Sequence, residues 1–242
     1  VGMGNQLREE CSDLPVMALS TVHPRHPLPE DQRRLLDNGS ASCESSLAKL
    51  FIGLIRCLMA AFRDTLEIFY LRFCSGFTYK NSGKSIPVVI KTWCFGGPPR
   101  GNIPDFYYGS LPSSLAKRGL DCVVLWGDER RFPSISIQKD PEGLYLPEFG
   151  LIPLWAPFWT VLTQLIAVRS ISRLSRSTGD INFSKFCNVA STEILKPLTL
   201  RNTLMYYVAK SAVEKWSPKI FITLYEGQPW ESVFRHGVKT AN

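Results

Sequence analysis

Apolar side chains recur every three or four positions from Leu47 to Phe73, and this period predicts an amphipathic helix over residues 46–74. Ser45 or Ser46 is a suitable N-terminal cap for it. Charged residues are scattered along the segment and argue against a transmembrane span. Two interpretations remain: a helix packed on a core, or a helix lying on a membrane surface. The preceding residues, 1–45, are rich in proline and in charges of both signs, which is typical of a flexible segment.

Continuous apolar runs, rather than alternating ones, mark three further segments. Residues 86–94, 121–126 and 220–224 are each predicted to form a strand, and a strand without polar alternation is typical of a parallel sheet buried on both faces. A short helix is predicted from Leu111 to Arg118, ended by Gly119. The resulting strand–helix–strand unit predicts an α/β fold, with a Rossmann-like parallel sheet flanked by helices.

One long segment, residues 149–168, carries no charge. Pro153 and Pro157 are expected to break its first half and to leave a helix of about a dozen residues. Three interpretations stay open: a buried helix, a helix at the interface of an anionic membrane, or a true span, which needs about 20 apolar residues. Three arginines that suit the second interpretation follow the segment: Arg169, Arg173 and Arg176.

The remaining pattern completes the domain organisation. Residues 129–148 are predicted to be a loop, and residues 190–216 a helix that is interrupted or entered at Pro197. The sequence is therefore expected to comprise a flexible segment, an amphipathic helix with a linker, a Rossmann-like domain and the start of a truncated continuation. These four parts cover residues 1–45, 46–85, 86–235 and 236–242.

The charge balance narrows the class of partner. The chain has 242 residues, a formal net charge of +7 and a pI near 9.1. This excess suits an anionic partner such as nucleic acid, an acidic membrane face or a phosphorylated substrate, although a basic surface without a partner explains it equally well. Aromatic and basic residues are not interleaved as in an RNA-binding sheet, so no nucleic-acid partner is expected.

Cysteine usage and the first residues bear on location. The seven cysteines are widely spaced and form no C-x-x-C pair, so neither a zinc site nor a disulfide framework is expected. This usage fits a reducing compartment. The first 20 residues contain no apolar signal-peptide region. Together these features predict a cytoplasmic protein, either free or peripheral on the inner membrane.

Several common enzyme motifs are missing from the sequence. No G-x-G-x-x-G follows a predicted strand, and the loop from Gly96 to Gly101 holds two prolines, which lack the N–H groups that would bind a phosphate. The phosphate-binding loop with its lysine and the G-x-S-x-G nucleophile elbow are also absent. The chemistry must therefore be sought in residues that the fold brings together.

Polar and aromatic residues follow the predicted strands at the points where they end. Parallel strands ending at Trp93, Trp126 and Tyr225 would meet at one edge of the sheet, where open α/β sheets bind ligands. Aromatic rings stack on sugars, and carboxylates orient or deprotonate hydroxyl groups, so this edge suits a carbohydrate. A structural role stays open for each residue; Glu231, for example, can stabilise the next helix through its dipole. The gathered residues are Thr92, Trp93, Asp105, Tyr107, Asp128, Glu226 and Gln228.

Two stretches together carry a family resemblance. The segment from Asp105 to Pro112 (DFYYGSLP), followed by Gly119 and the next strand, resembles a motif of a bacterial surface-carbohydrate biosynthesis family found in O-antigen gene clusters. The segment from Tyr225 to Glu231 (YEGQPWE) resembles the same family's Y-E-N-Q-P-W-E signature. Gly227 departs from that signature because it replaces an asparagine.

The resemblance implies a glycosyltransferase with two Rossmann-type domains (GT-B-like), of which this chain holds the acceptor domain and lacks the donor domain. Glu226, with Asp105 as second candidate, would deprotonate the acceptor hydroxyl. No cofactor or metal is expected in this half; a nucleotide-sugar donor is expected for the complete protein, and a glycan or lipid-linked acceptor for this part. The alternative is a non-catalytic domain that binds a membrane surface. The expected substrate-binding residues are Thr92, Trp93, Tyr107, Gln228, Trp230 and Glu231.

Overall fold

The amphipathic helix opens the described part of the fold. A computed structural model describes residues 43–74, 86–93, 107–127, 145–178, 181–223 and 227–241. Helix α1 spans Cys43–Phe69 and continues into a single π-helical turn, Tyr70–Cys74. The helix predicted over residues 46–74 is therefore confirmed.

A four-stranded parallel sheet forms the centre of the fold. The strands are β1 (Val88–Trp93), β2 (Cys122–Gly127), β3 (Tyr145–Pro147) and β4 (Ile220–Thr223), in the spatial order β3-β2-β1-β4. In the central strand, Ile90 is paired with Val124 on one side and with Ile222 on the other. The predicted α/β class with a helix-flanked parallel sheet is confirmed.

Strand β4 differs from its prediction in burial. Its continuous apolar run predicted a strand covered on both faces, but Ile220 and Thr223 are exposed and the two residues between them are half-buried. Within the described residues β4 pairs only with β1, and so it lies at the edge of the sheet. An apolar run reports β-propensity and partial burial, and it does not distinguish an edge strand from a central one.

Strand β3 was missed by the sequence analysis, which treated residues 129–148 as a loop. Three residues, Tyr145–Pro147, pair with Val124, Leu125 and Trp126 of β2. Such a strand is too short to show an alternating or continuous apolar pattern, and proline is tolerated because this is an edge strand. A 3₁₀ turn, Glu148–Leu151, follows it directly and is fully buried.

The short helix α2, Leu111–Lys117, ends as its sequence predicts. Gly119 adopts a left-handed φ of 74°, and its N–H donates to the carbonyl of Ala116 at 3.0 Å. The next N–H, of Leu120, donates to Leu115 at 3.1 Å, which completes a glycine-based C-terminal cap. Helix α2 covers the sheet face that carries Val88, Ile90, Cys122 and Val124.

Four further helices complete the described chain: α3 (Ala156–Thr178), α4 (Ile181–Ile194), α5 (Pro197–Trp216) and α6 (Pro229–Ala241). Within the uncharged segment 149–168, α3 takes up Ala156 to Val168, about the dozen residues that were expected, and Pro157 lies in its first turn, where proline costs no helical hydrogen bond. The helix then continues to Thr178, which was not predicted. The interruption expected at Pro197 is confirmed, because Pro197 begins α5, and the preceding helix α4 starts earlier than predicted.

The larger core lies on the opposite sheet face from α2. There Val89, Val123 and Leu125 pack with buried residues of α1, α3 and α5. Helix α6 lies against α5 at unusually close range: a Cβ atom on Gly237 would stand 2.5 Å from the carbonyl oxygen of Tyr206. Among the described helices, none combines the length and the hydropathy needed to cross a bilayer.

Candidate functional site

The strand order creates a switch point at the carboxyl end of the sheet. Strands β2 and β3 lie on one side of β1, and β4 lies on the other. The connection from β1 to β2 carries α2, while the one from β3 to β4 carries α3, α4 and α5. The chain order thus reverses between β1 and β4, and such a switch point is where open parallel sheets bind ligands.

A buried ion pair lies beside this switch point. Lys91, in the carboxyl half of β1, places its Nζ 2.7 Å from Oε2 of Glu148, the residue that follows β3. The two side chains are 0% and 1% exposed. The Lys91 Nζ also donates to the carbonyl oxygen of Thr92 at 3.2 Å. The pair therefore ties the ends of β1 and β3 together across β2.

Helix α6 brings an aromatic ring onto the same lysine. The Nζ of Lys91 lies 5.0 Å from the ring centroid of Trp230, within the range of a cation–π interaction. Trp230 is 4% exposed and also packs edge-to-face with Phe234, with ring centroids 6.4 Å apart. The first turn of α6, reached directly from β4, is thus fixed against the end of β1.

The start of α6 is stabilised by a reciprocal cap. Pro229 occupies the first helical position, where its missing N–H costs nothing. Oε1 of Glu231 accepts the backbone N–H of Gln228 at 3.3 Å, and the Glu231 N–H donates to the Gln228 carbonyl at 3.1 Å. This is the back-bond of a capping box, with glutamate at the third helical position. Glu231, buried here, therefore has the structural role that the sequence analysis left open for it.

A second group of charges lies where α1, α5 and the 3₁₀ turn meet. Glu67 Oε2 stands 3.7 Å from Nη2 of Arg201, and that guanidinium lies 4.6 Å from the ring centroid of Phe149. Burial raises the pKa of Glu67 from 4.5 to about 7; Asp64 and Glu148 add to this rise, while Arg201 and Arg63 oppose it. Glu67 therefore changes its charge near neutral pH.

We expect Glu67→Gln to weaken the pH dependence of stability. A raised pKa means that the folded chain holds the proton more tightly than the unfolded chain. The contribution of Glu67 is thus most favourable below about pH 4.5 and is lost as the pH rises to about 7. Over this window the wild type should lose up to about 1.4 kcal/mol per pH unit relative to the variant.

The measurement for Glu67 is the free energy of unfolding in urea from pH 4.5 to 8. Glu214→Gln is the control, because Glu214 is exposed on α5. If the Glu67→Gln and Glu214→Gln curves run parallel, the raised pKa of Glu67 is wrong.

The opposite side of β1 carries the predicted aromatic and hydroxyl residues. The hydroxyl of Tyr108 donates to the Lys91 carbonyl at 3.3 Å, which places the segment before α2 beside the carboxyl half of β1. Tyr107 precedes it and is half-buried, while Thr92 is fully buried and pairs with Trp126 of β2. These positions agree with the predicted edge of the sheet.

The structure describes only some of the predicted site residues. Glu226, Asp105 and Asp128 lie outside the described residues, as does the side chain of Trp93, whose backbone ends β1. Gln228 is exposed at the start of α6. Trp230 belongs to the core in this structure, so its stacking on a sugar stays a prediction. The substrate-binding roles of Thr92, Tyr107, Gln228 and Glu231 also stay predictions.

Sequence reasoning missed the charged members of this edge, Lys91 and Glu148, together with Glu67 and Arg201. A signal for Lys91 existed, because a lone lysine in an otherwise apolar strand needs a buried partner. Nothing local pointed to Glu148, which is 57 positions away in the sequence and directly follows the strand that was missed.

Comparison with known proteins assigns neither a family nor a function to this chain. No protein-family model matches the chain, and no curated protein or solved structure is significantly similar to it. Within the described residues, no three side chains among His, Cys, Asp and Glu are grouped as metal ligands would be.

Proposed function

We propose that this chain is the acceptor-binding half of a glycosyltransferase-like protein of bacterial surface-polysaccharide biosynthesis. The crevice between β1 and β4 would receive a glycan or lipid-linked acceptor, and the complete protein, with a second Rossmann-type domain, would bind the nucleotide-sugar. The observation that carries the proposal is the switch point, because the chain order reverses where the sequence resembling Y-E-N-Q-P-W-E joins β4 to α6.

The motif's own residues support this assignment by their placement. Its last four residues form the capped first turn of α6, and Trp230 fixes that turn to Lys91 at the end of β1. A capped and anchored turn is a rigid support for the residues just before it, and rigid support is what positions a catalytic group well. In sequence, Glu226 comes between the end of β4 at Thr223 and Gly227.

The proposed chemistry assigns one proton transfer to this half. The acceptor hydroxyl attacks the anomeric carbon of the donor sugar, the bond from that carbon to the nucleoside diphosphate breaks, and the hydroxyl proton passes to the carboxylate of Glu226. Asp105 is the second candidate for the base. The buried pair of Lys91 and Glu148 would hold β1, β3 and α6 in register, and it would not touch the acceptor.

Glycan binding by the chain itself tests the proposal. On an array of oligosaccharides from bacterial O-antigens and capsules, we expect the chain to bind a defined subset. Gln228→Ala should weaken that binding about tenfold, because an exposed amide at the crevice would lose hydrogen bonds to sugar hydroxyls.

The matched control is Asn188→Ala, which removes an exposed amide from α4, away from the crevice. Circular dichroism should report the same helix content for both variants. Binding to no glycan, or an equal loss of binding in both variants, would contradict an acceptor site at this crevice.

A further inference from the structure

Helix α1 exposes most of its large apolar side chains, unlike an ordinary surface helix. The side chains that it buries against the protein are mainly small or polar, among them Cys57, Ala61 and Asp64, although Ile68 is fully buried with them. The exposed large apolar side chains include Phe51 and Phe62, at 63% and 59%. They recur every three or four residues and so share one face of the helix. This apolar stripe comprises Leu47, Phe51, Ile55, Leu58, Phe62, Leu66 and Phe69.

The stripe is long and continuous. From Leu47 to Phe69 it covers about 33 Å of helix at 1.5 Å per residue. Folded proteins rarely expose contiguous apolar surface on this scale unless it binds something. Nothing in the described part of the chain covers the stripe, so whatever binds it must come from outside that part.

Helix α3, which packs against α1, has an outward face of two halves. Its start exposes large apolar side chains, and its end exposes three cations at the same helical spacing, with Leu174 and Ser177 exposed beside them. An apolar half followed by a cationic half matches the acyl region and the phosphate layer of a lipid surface. The outward residues are Trp155, which directly precedes the helix, Phe158, Trp159, Leu162 and Ile166, then Arg169, Arg173 and Arg176.

The charges beside these two faces have one sign. The exposed charged residues of α1 with described side chains are Lys49 and Arg56, while Asp64 and Glu67, its acidic residues with described side chains, are turned inward. Helix α3 contains no acidic residue. A second copy of the chain would present the same cations and be repelled, whereas an anionic lipid surface would attract them.

From the apolar stripe, the two-part face of α3 and the uniform charge, we infer that the outer faces of α1 and α3 bind the surface of an anionic phospholipid bilayer. Helix α1 lies in the plane of the interface with its stripe among the acyl chains, and the arginines of α3 contact lipid phosphates. The inference is independent of the proposed glycosyl transfer.

Co-sedimentation with vesicles tests the lipid preference. The full chain should bind vesicles of phosphatidylglycerol and phosphatidylcholine much more tightly than vesicles of phosphatidylcholine alone, and added salt should weaken the binding. Arg169→Gln/Arg173→Gln should weaken binding to the anionic vesicles about 25-fold, from roughly fivefold per arginine near the surface.

The matched control for charge is Lys117→Gln/Arg118→Gln, which removes two exposed cations beside α2 on the other face of the sheet. This variant should bind within about twofold of the wild type. Equal loss in the two double variants would overturn the inference, because binding would then follow net charge and not the faces of α1 and α3.

A second pair of variants tests the stripe itself. Phe51→Ser/Phe62→Ser removes two exposed rings and should abolish co-sedimentation, while Leu120→Ser/Leu198→Ser removes exposed leucines elsewhere and should not. Sedimentation velocity tests the alternative that a second copy of the chain covers the stripe. A dimer that Phe51→Ser/Phe62→Ser dissociates, without vesicle binding by the wild type, would overturn the lipid assignment in favour of a second copy.

Discussion

Replacing Lys91 by methionine should destabilise the fold by about 3–5 kcal/mol. Methionine preserves most of the side-chain volume, but it leaves the carboxylate of Glu148, 1% exposed, without the cation at 2.7 Å. It also removes the donor to Thr92 and the cation that faces Trp230. Small domains are stable by about 5–15 kcal/mol in total, so the loss would be a large fraction. The free energy of unfolding in urea measures it.

A double variant separates the cost of the unpaired charge from the worth of the pair. Lys91→Met/Glu148→Leu should recover most of the loss, because a buried ion pair replaced by apolar side chains is often neutral or stabilising. Lys210→Met is the exposed control, since Lys210 and Glu214 stand 3.8 Å apart on the surface of α5 and such a pair contributes about 1 kcal/mol or less. Equal losses for Lys91→Met and Lys210→Met would contradict the buried pair.

The same double variant also tests whether glycan binding depends on the ion pair of Lys91 and Glu148. If Lys91→Met/Glu148→Leu folds normally yet loses glycan binding, the pair is needed to hold the crevice in its working geometry. If glycan binding is retained, the pair serves only the packing of β1 against β3. Both results follow from one protein preparation, because the stability and the binding assays use the same chain.

The central elements of this fold could be predicted because their signals are local. The apolar period of α1, the continuous runs of β1 and β2, and the glycine that ends α2 each depend on residues within one turn or one strand. The strand that was missed depends on a distant partner, because β3 exists only where β2 offers it an edge.

The edge of the sheet was predictable, but the charges beside it were not. Strand ends of a parallel sheet meet at one edge whatever the sequence, so Thr92 and Tyr107 could be placed there from the strand pattern alone. The partnership of Lys91 with Glu148 and Trp230 joins three elements whose packing no local pattern encodes. The outward direction of the stripe on α1 is of the same kind, since periodicity shows that an apolar face exists and not which way it is turned.

The proposed acceptor site and the proposed lipid-binding faces are different surfaces of the molecule. The proposed crevice lies at the carboxyl edge of the sheet, beside β1, β4 and α6, while the faces that we infer to bind lipid belong to α1 and α3. A lipid-linked acceptor would need both, because its glycan would enter the crevice while its lipid stays in the bilayer. Variants in α1 should therefore lower the rate on a lipid-linked acceptor and leave the rate on a free glycan unchanged.

Replacing Glu226 by glutamine should lower the rate of sugar transfer by about 10²–10⁴, the range over which general bases typically contribute. Glutamine keeps the size of the side chain and cannot take the hydroxyl proton, so KM for the acceptor and the unfolding curve should change little. Release of nucleoside diphosphate by the product of the complete gene, supplied with donor and acceptor, measures the rate. Glu214→Gln, on the exposed face of α5, is the control. Equal rates for the two variants would remove Glu226 as the base, and a large fall for Asp105→Asn would then transfer that role to Asp105.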